Sequence, residues 1–575
     1  MPTNPDLSAM IRANEVGRGS AIETPFGRRL LCYADLTASG RFLGFIERWL
    51  RGLRPYYANS HTVISSTGTL MTELREQARA IVRRSVGAGP DDVALFVGSG
   101  ATAAINKLVG CLGLARPHAE FSGGGAAKLP PAERPIVLVG PYEHHSNELP
   151  WYESLAEIVE VHETERGEIC LKDLETKLAA ARGRRLVIGS FSAGSNVTGV
   201  LTDVHAVARV LHRHGALAFF DYAACAPYVP IDMHPAGDPG AAIDAVFIST
   251  HKFVGGPQGS GVLVASRRCF RRDVPERPGG GTVEYVSYFG SHAIDYVRRM
   301  EEREEGGTPA IIGDIRAGAA FLVREMLDPP SLRDAETALA ARALERLGKN
   351  PRIRLLGPRG LPRLPILSFT VEGLHHDFVS TLLDHLFGIQ NRAGCACAGP
   401  YGHRLLGVTA ETSLALRGWV IRGVLGIKPG WTRITLPPYG TAEDVEFILA
   451  AVEFVADHGE AFLPLYELGW RDGIWHARGH QAAPPPFEIS LASLRADRPE
   501  ERPISDAELA SERARYFAEA HRRARELIAE HGPLPPNPPS GDRELDRMVW
   551  FRYLHAGPVP TETESAVSTP PLASE

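Results

Sequence analysis

The chain has 575 residues, 44% hydrophobic and 23% charged, the balance of a globular protein long enough for about three to five domain-sized units and a sizeable core. Sixty-two basic against 68 acidic residues leave a net charge of -6, which argues against a nucleic-acid partner, and no run approaches the roughly 18–20 apolar residues of a membrane helix. The opening segment MPTNPDLSAMIRANEVGRGS lacks the apolar stretch of a secretory signal, and seven cysteines, sparse and odd in number, argue against a disulfide framework and for a reducing, cytoplasmic compartment.

In chain order, 68–86 reads as an amphipathic helix, 93–97 as a strand, 101–113 as a helix and 136–140 as a strand. Helix 171–182, strand 185–190, helix 203–214 and strands 216–220, 244–249 and 261–265 follow. Aliphatic strands separated by helices predict an α/β unit with a mostly parallel sheet covered on both faces, and ligands in such sheets sit beyond the carboxyl ends of the strands. The Gly/Pro/Ala-rich stretch 115–134 reads as an inserted surface loop. A smaller α+β unit is expected over about 300–460, with helices at 313–327, 333–347, 377–386 and 441–456 and strands at 366–371 and 432–436. Beyond 460, Pro-rich patches (484–486 and 535–539) bracket one strong helix, opened by a Ser505/Glu508 capping box and stopped by Gly532-Pro533. Leu509, Phe517, Ala520, Ala524, Leu527 and Ile528 sit on or near one face of it, and the last residues, ETESAVSTPPLASE, read as disordered.

Four segments at strand ends carry chemistry. STHKFVGGPQGSGVLV (249–264) places Lys252 after a buried strand, beside a glycine-rich loop; DYAACAP (221–227) places Asp221 at another strand end. VGSGATAAIN (97–106) is a strand, a Gly turn and a helix whose free N–H groups at Gly100, Ala101 and Thr102 can seat an anion. YEHHSNELPW (142–151) places His144 and His145 after a strand, with no Cys or carboxylate at metal-ligand spacing, so no metal is expected. An amine, a carboxylate, an imidazole and a phosphate seat match the needs of pyridoxal 5'-phosphate: a Schiff-base lysine, a carboxylate that keeps the pyridine nitrogen protonated, and a helix end for the phosphate.

On these motifs the chain resembles the fold-type I, class V aminotransferases, and within them the cysteine desulfurase and selenocysteine lyase branch, over about residues 25–460. YADLTASG (33–40) and YANSHTVISSTGTLMTELR (57–75) support the resemblance more loosely. It implies a PLP-dependent transferase-like large domain with a seven-stranded type of sheet, a smaller α+β domain and an added C-terminal extension. The corresponding boundaries are an N-terminal arm at 1–25, the large domain at 26–295, the small domain at 296–460 and the extension at 461–575. By the same resemblance Lys252 is the Schiff-base lysine, Asp221 the pyridine-nitrogen partner, and His144 a catalytic, ring-stacking residue. Asn196 contacts the cofactor oxygen, and Ala101, Thr102, Ser249 and His251 bind the phosphate. Thr282 reaches the phosphate of the partner subunit in a homodimer, Arg433 clamps the substrate α-carboxylate, and Arg392 is a second active-site arginine. Ala224 stands where the branch commonly carries a Gln, which removes a side-chain donor to the cofactor.

In NRAGCACAGPYG (391–402) the resemblance places Cys397 at the nucleophilic cysteine of the desulfurases. Its thiolate would take sulfur from L-cysteine as a persulfide and release alanine, with a sulfur-acceptor protein as a further expected partner and cations such as Arg392 favouring the anion. From the residues alone, Cys395 and Cys397 also read as small residues of a Gly/Ala-rich turn, and Cys395 as a resolving thiol or as nothing. The alternative within the cofactor class is an aminotransferase, epimerase or β-lyase that uses Lys252 without a catalytic cysteine. A non-catalytic docking scaffold is opposed by the intact Lys252. The remaining expectations are a small amino-acid substrate and no membrane partner.

Overall fold

The computed structural model describes residues 5–60, 62–116, 130, 133–287, 289, 293–327, 329–480, 487, 489–495 and 504–560. Most of the 115–134 stretch, the Pro-rich patch at 484–486 and the last residues from 561 lie outside them. The chain divides into two compact units. One is built from residues 1–16, 36–340 and 358–365, the other from 17–35, 341–357 and 366–575.

The first unit is organised by seven strands: β1 (Asp92–Val97), β2 (Ile136–Val139), β3 (Glu157–Glu160), β4 (Val187–Ser192), β5 (Leu217–Asp221), β6 (Ala245–Ile248) and β7 (Gly261–Ser266). Their order across the sheet is β1-β7-β6-β5-β4-β2-β3. Six strands run one way, and β7 runs antiparallel between β1 and β6. β2, β5 and β6 are buried throughout because both sheet faces are covered, which is why they read as unbroken apolar runs. β3 is the exception. It is an edge strand, EIVE, half-exposed, and it carries no apolar run for sequence reading to find.

Helices α1 (Ser66–Ser85), α2 (Gly100–Cys111), α3 (Leu171–Ala180), α4 (Val204–Arg213) and α5 (Ile311–Met326) belong to this unit. Ile105 and Leu108 of α2 join Leu95, Val137, Phe219, Phe247 and Leu263 in one core. α5 lies against α1. A Cβ on Gly318 would fall 2.6 Å from the Ala78 Cα, and Asp314 accepts from the Arg75 guanidinium. β7 passes equally close to the entry of α2. A Cβ on Gly261 would sit 2.7 Å from the Gly100 nitrogen, and the Gly261 N–H reaches the Gly98 carbonyl at 3.1 Å. Glycine at 261 thus fixes the turn that opens α2.

The second unit holds an antiparallel sheet of β8 (Ile353–Leu355), β9 (Ile366–Val371), β10 (Arg392–Gly394) and β11 (Trp431–Thr435) in the order β8-β9-β11-β10. With it go α6 (His376–Phe387), α7 (Gly399–Leu406), α8 (Ala410–Ile421), α9 (Ala442–His458) and α10 (Asp506–His531). The Ser505/Glu508 capping box opens α10, and Gly532 at positive φ ends it. Its buried positions are Leu509, Tyr516, Ala520, Ala524 and Leu527, whereas Ile528 is half exposed. Phe517 packs against Phe387, Phe447 and Phe454, with ring centroids 4.8, 5.8 and 6.5 Å away. The Tyr516 hydroxyl accepts the Leu30 N–H at 2.9 Å, and Arg29 pairs with Glu519 at 3.0 Å. Trp470, Trp475 and Tyr553 are buried as well, so the C-terminal region is part of this unit's core. Among the described residues, no helix is long and apolar enough to cross a membrane.

Phe517→Ala should lower the stability of the second unit by about 2 kcal/mol, the value of a partly buried aromatic contact, read as a fall in urea midpoint at unchanged slope.

Candidate active site

In the first unit the strand carboxyl ends converge chemically. Asp221 closes β5, is 4% exposed, and accepts the Ala223 N–H at 2.8 Å. Burial raises its proton affinity, while the Ala223 bond and the charge of Lys252 oppose the rise. Half-buried Lys252 ends a tight turn, Thr250–Lys252, directly after β6. That turn is held on both sides. Thr250 Oγ1 donates to the Ser260 carbonyl, and the Gly40 N–H donates to the His251 carbonyl at 2.8 Å. A Cβ at Gly40 or Gly256 would lie 1.9 Å from a carbonyl oxygen of this segment, so the glycines let the backbone close around the lysine. His251 is pulled down to about 4 by burial and by Lys252, which keeps its imidazole neutral.

The entry of α2 meets the end of β6. The Ala101 N–H donates to Ser249 Oγ at 2.9 Å, and a Cβ on Gly100 would fall 2.6 Å from that hydroxyl and 3.0 Å from the His251 ring. Thr102 Oγ1 is 2.7 Å from Ser146 Oγ, and the Ser146 N–H donates to His144 Nδ1 at 3.0 Å. That bond assigns the proton of neutral His144 to Nε2. Asn196, 6% exposed, sits in the turn after β4, where Ser195 Oγ accepts the Val197 and Thr198 N–H groups. The Thr282 hydroxyl instead donates to the Gly279 carbonyl at 2.7 Å in its own loop. Ala224 is buried between Ala223 and Cys225, whose thiol is pushed up by burial and then by Asp221.

Glu143 was missed from the sequence. It is fully desolvated, and its carboxylate accepts four bonds: Gly140 N–H at 3.2 Å, Ser192 N–H at 2.9 Å, Ser192 Oγ at 2.7 Å and Asn147 Nδ2 at 2.6 Å. Ser192 lies opposite Asp221 in the β4–β5 register. Glu143 therefore ties the segment bearing His144 to the strand beside Asp221. Burial, and last the Asp221 charge, push it up to about 7 against those hydrogen bonds. The available signal was a carboxylate immediately ahead of the two histidines.

In the second unit, Arg433 of β11 is 3% exposed and pairs with Asp35 at 2.7 Å, and Arg392 of β10 lies directly opposite it across the ladder. Burial lowers the Arg433 pKa, while Asp35 and Cys397 raise it. Cys397 is half-buried, and its backbone is left-handed, φ 54°, as is that of Ala396, φ 47°. Asp35, inside YADLTASG, is the second residue that motif reading did not single out. Among the described residues, His375, His376 and Asp377 bring possible metal ligands within 4.8 Å of one another. His375 Nδ1, however, already accepts the Asp377 N–H and the Trp475 indole N–H, both at 3.2 Å, which leaves that nitrogen no lone pair for an ion.

The donor set of the first unit fits pyridoxal 5'-phosphate. It offers an amine, a buried carboxylate, a ring imidazole and a helix entry whose Gly100 leaves space beside Ser249 and His251. Fold and donors together define a PLP-dependent enzyme of fold type I. Residues 44–448 match the aminotransferase class-V family, and the chain belongs to it. It is 31% identical over 375 residues to a probable cysteine desulfurase of Halalkalibacterium halodurans, covering 64% of this chain and 84% of the relative. A probable cysteine desulfurase of Vibrio cholerae is 28% identical over 406 residues, covering 70% and 87%. In fold, the chain is similar to the apo cysteine desulfurase of Thermococcus onnurineus (TM-score 0.60, 23% identity, 80% of this chain and 99% of that one). It is similar in the same way to the cysteine desulfurase CsdA of Escherichia coli (TM-score 0.60, 24% identity, 78% and 98%).

The raised Glu143 carboxyl holds a proton in the folded state that the unfolded chain releases between 4.5 and about 7. Its contribution to stability is therefore greatest below that window and is lost as pH rises through it, by about 3 kcal/mol in all. Urea unfolding of wild type and Glu143→Gln at about pH 4 and pH 8 should show this slope in wild type and its loss in the variant.

Proposed function

We infer that the chain is a cysteine desulfurase-like enzyme that cleaves the C–S bond of L-cysteine, releasing alanine and retaining the sulfur on Cys397. The observation that carries this reading is the turn at Cys397. Two successive non-glycine residues in the left-handed region cost about 1–2 kcal/mol each, and such strain collects at functional sites. The same thiol lies next to the first turn of α7 and within electrostatic reach of Arg433. An aminotransferase, epimerase or β-lyase has no use for a thiol held at that cost.

Bound PLP supplies an aldehyde for an amine and an electron-withdrawing pyridine ring. Lys252 would offer its Nζ as that amine and as a base for the substrate Cα proton. Asp221 holds a proton at the pyridine nitrogen, a task suited to a buried carboxylate of raised proton affinity. His144 would stack on the ring with its Nε2–H free of the Ser146 bond, and Asn196 would contact the ring oxygen. Ala101, Thr102, Ser249 and His251 receive the phosphate, and a neutral His251 donates to it without adding charge. Arg433, aimed by Asp35, clamps the substrate carboxylate, with Arg392 as its neighbour. The Cys397 thiolate attacks the substrate sulfur. The S–S bond forms, the Cβ–S bond breaks, and Cβ keeps the electron pair and takes a proton to become the alanine methyl group. A homodimer fits the apolar side chains that the first unit exposes at Tyr56, Tyr57, Val63, Ile64, Tyr285 and Phe289. A sulfur-acceptor protein would draw on the Cys397 persulfide.

Cys397→Ser should stop alanine release from L-cysteine while the visible band of the bound cofactor persists, and Lys252→Ala should lose that band. Full alanine release by Cys397→Ser, with the band intact, eliminates the desulfurase reading in favour of cysteine-independent chemistry. Arg433→Lys, which gives up the paired fork of donors, should raise KM for L-cysteine by about tenfold with a smaller change in kcat.

A further inference from the structure

Cys395 is the one thiol of the NRAGCACAGPYG motif that the reaction above leaves without a task. The Ala398 N–H donates to the Cys395 carbonyl at 3.0 Å, closing a four-residue turn whose two central residues, Ala396 and Cys397, are both left-handed. Positive φ at both central positions is the pattern of a type I′ turn, which ordinarily takes Asn-Gly. Among the described residues only Gln258 is another non-glycine with positive φ, so two of the three such residues are the central pair of this turn. A closed turn brings its end Cα atoms within about 7 Å. Cys395 and Cys397 lie on this one closed turn with a single left-handed residue, Ala396, between them, a compact spacing of the order that a disulfide spans, roughly 4.4–6.8 Å between Cα atoms. Both cysteines are half-buried, unlike the enclosed Cys111, Cys225 and Cys269. Arg392 stands three residues ahead of Cys395, opposite Arg433, so the turn leaves the sheet at a cationic point.

The geometry points to Cys395 as the resolving thiol of Cys397, and this rests on the desulfurase reading. The Cys395 thiolate attacks the inner sulfur of the Cys397 persulfide. A Cys395–Cys397 disulfide forms, the bond to the outer sulfur breaks, and that sulfur leaves as hydrosulfide with the electron pair. Two thiol sulfurs are oxidised and one sulfane sulfur is reduced, so no outside oxidant is needed. A low-molecular-weight thiol then restores the pair, two equivalents being oxidised to their disulfide. A disulfide closed over one intervening residue is strained and easily reduced, which suits a turnover step and not a structural bridge. The enzyme would then release free sulfide when thiols are present.

The full-length, PLP-loaded protein, reduced and freed of reductant, is mixed with one equivalent of L-cysteine. Alanine and sulfide are measured, and the peptide 393–404 is analysed by mass spectrometry without reduction after alkylation. The expected result is alanine with matching sulfide and a peptide that is unalkylated and two hydrogens lighter. Cys395→Ser should keep the persulfide on Cys397 and release at least tenfold less sulfide. Alanine with a stable Cys397 persulfide and freely alkylated Cys395 in wild type overturns the resolving role and leaves the desulfurase reading standing. Sulfide release by Cys395→Ser equal to wild type does the same. Absence of alanine from wild type overturns both. A second arm needs no turnover. In oxidised glutathione the two thiols of the full chain should close on each other, and finding only glutathione mixed disulfides at 395 and 397 counts against the pair.

Discussion

The first unit is organised around an expensive arrangement, a carboxylate at 4% exposure whose neighbouring charge is the Lys252 amine. Asp221 is kept there by the Ala223 N–H and by Lys252, while the sheet around it is apolar on both faces. A buried charge of this kind is tolerated only where neighbouring groups are fixed, because moving them away would leave it unpaired. The close glycine contacts at 40, 256 and 261 fix those neighbours. Each lets one backbone pass where a Cβ would collide, and together they hold the lysine turn and the α2 entry against the strand ends. Glu143 extends the same economy, with four neutral donors and no cation, and makes the histidine segment part of the sheet.

The second unit handles charge differently. Arg433 is buried with Asp35 as its close partner, and the antiparallel register puts Arg392 across from it. Two guanidinium groups side by side repel, and the Asp35 carboxylate on Arg433 offsets that repulsion. The strained turn that follows β10 sets Cys397 within electrostatic reach of Arg433 and just ahead of the first turn of α7.

The C-terminal region completes this unit. α10 closes over Phe387, Phe447 and Phe454, and its Tyr516 and Glu519 satisfy the backbone of Leu30 and the guanidinium of Arg29. His375, enclosed by Trp475 and Phe551, stays neutral because burial lowers its pKa, with the nearby His376 adding to the effect. The additional residues thus serve as packing for α6 and α9, and α6 in turn lies against the strands that carry Arg392 and Arg433.

The sequence by itself determined the strand-and-helix alternation, because apolar runs and 3.6-residue periodicity are local. It also determined the lysine, aspartate and glycine motifs, because each is a short contiguous string at a strand end, and the caps of α10, because Ser505, Glu508 and Gly532 act within one turn. Tertiary structure alone decided the rest. The antiparallel pairing of β7 with β1 joins residues about 170 positions apart in the chain, and the edge strand β3 has no buried face to advertise it. Glu143 and Asp35 look like ordinary surface acids until the fold strips them of water or sets them against an arginine. The left-handed backbone at Ala396 and Cys397 violates local preference, so no local rule predicts it: only the closed turn and the helix behind it hold those two residues there.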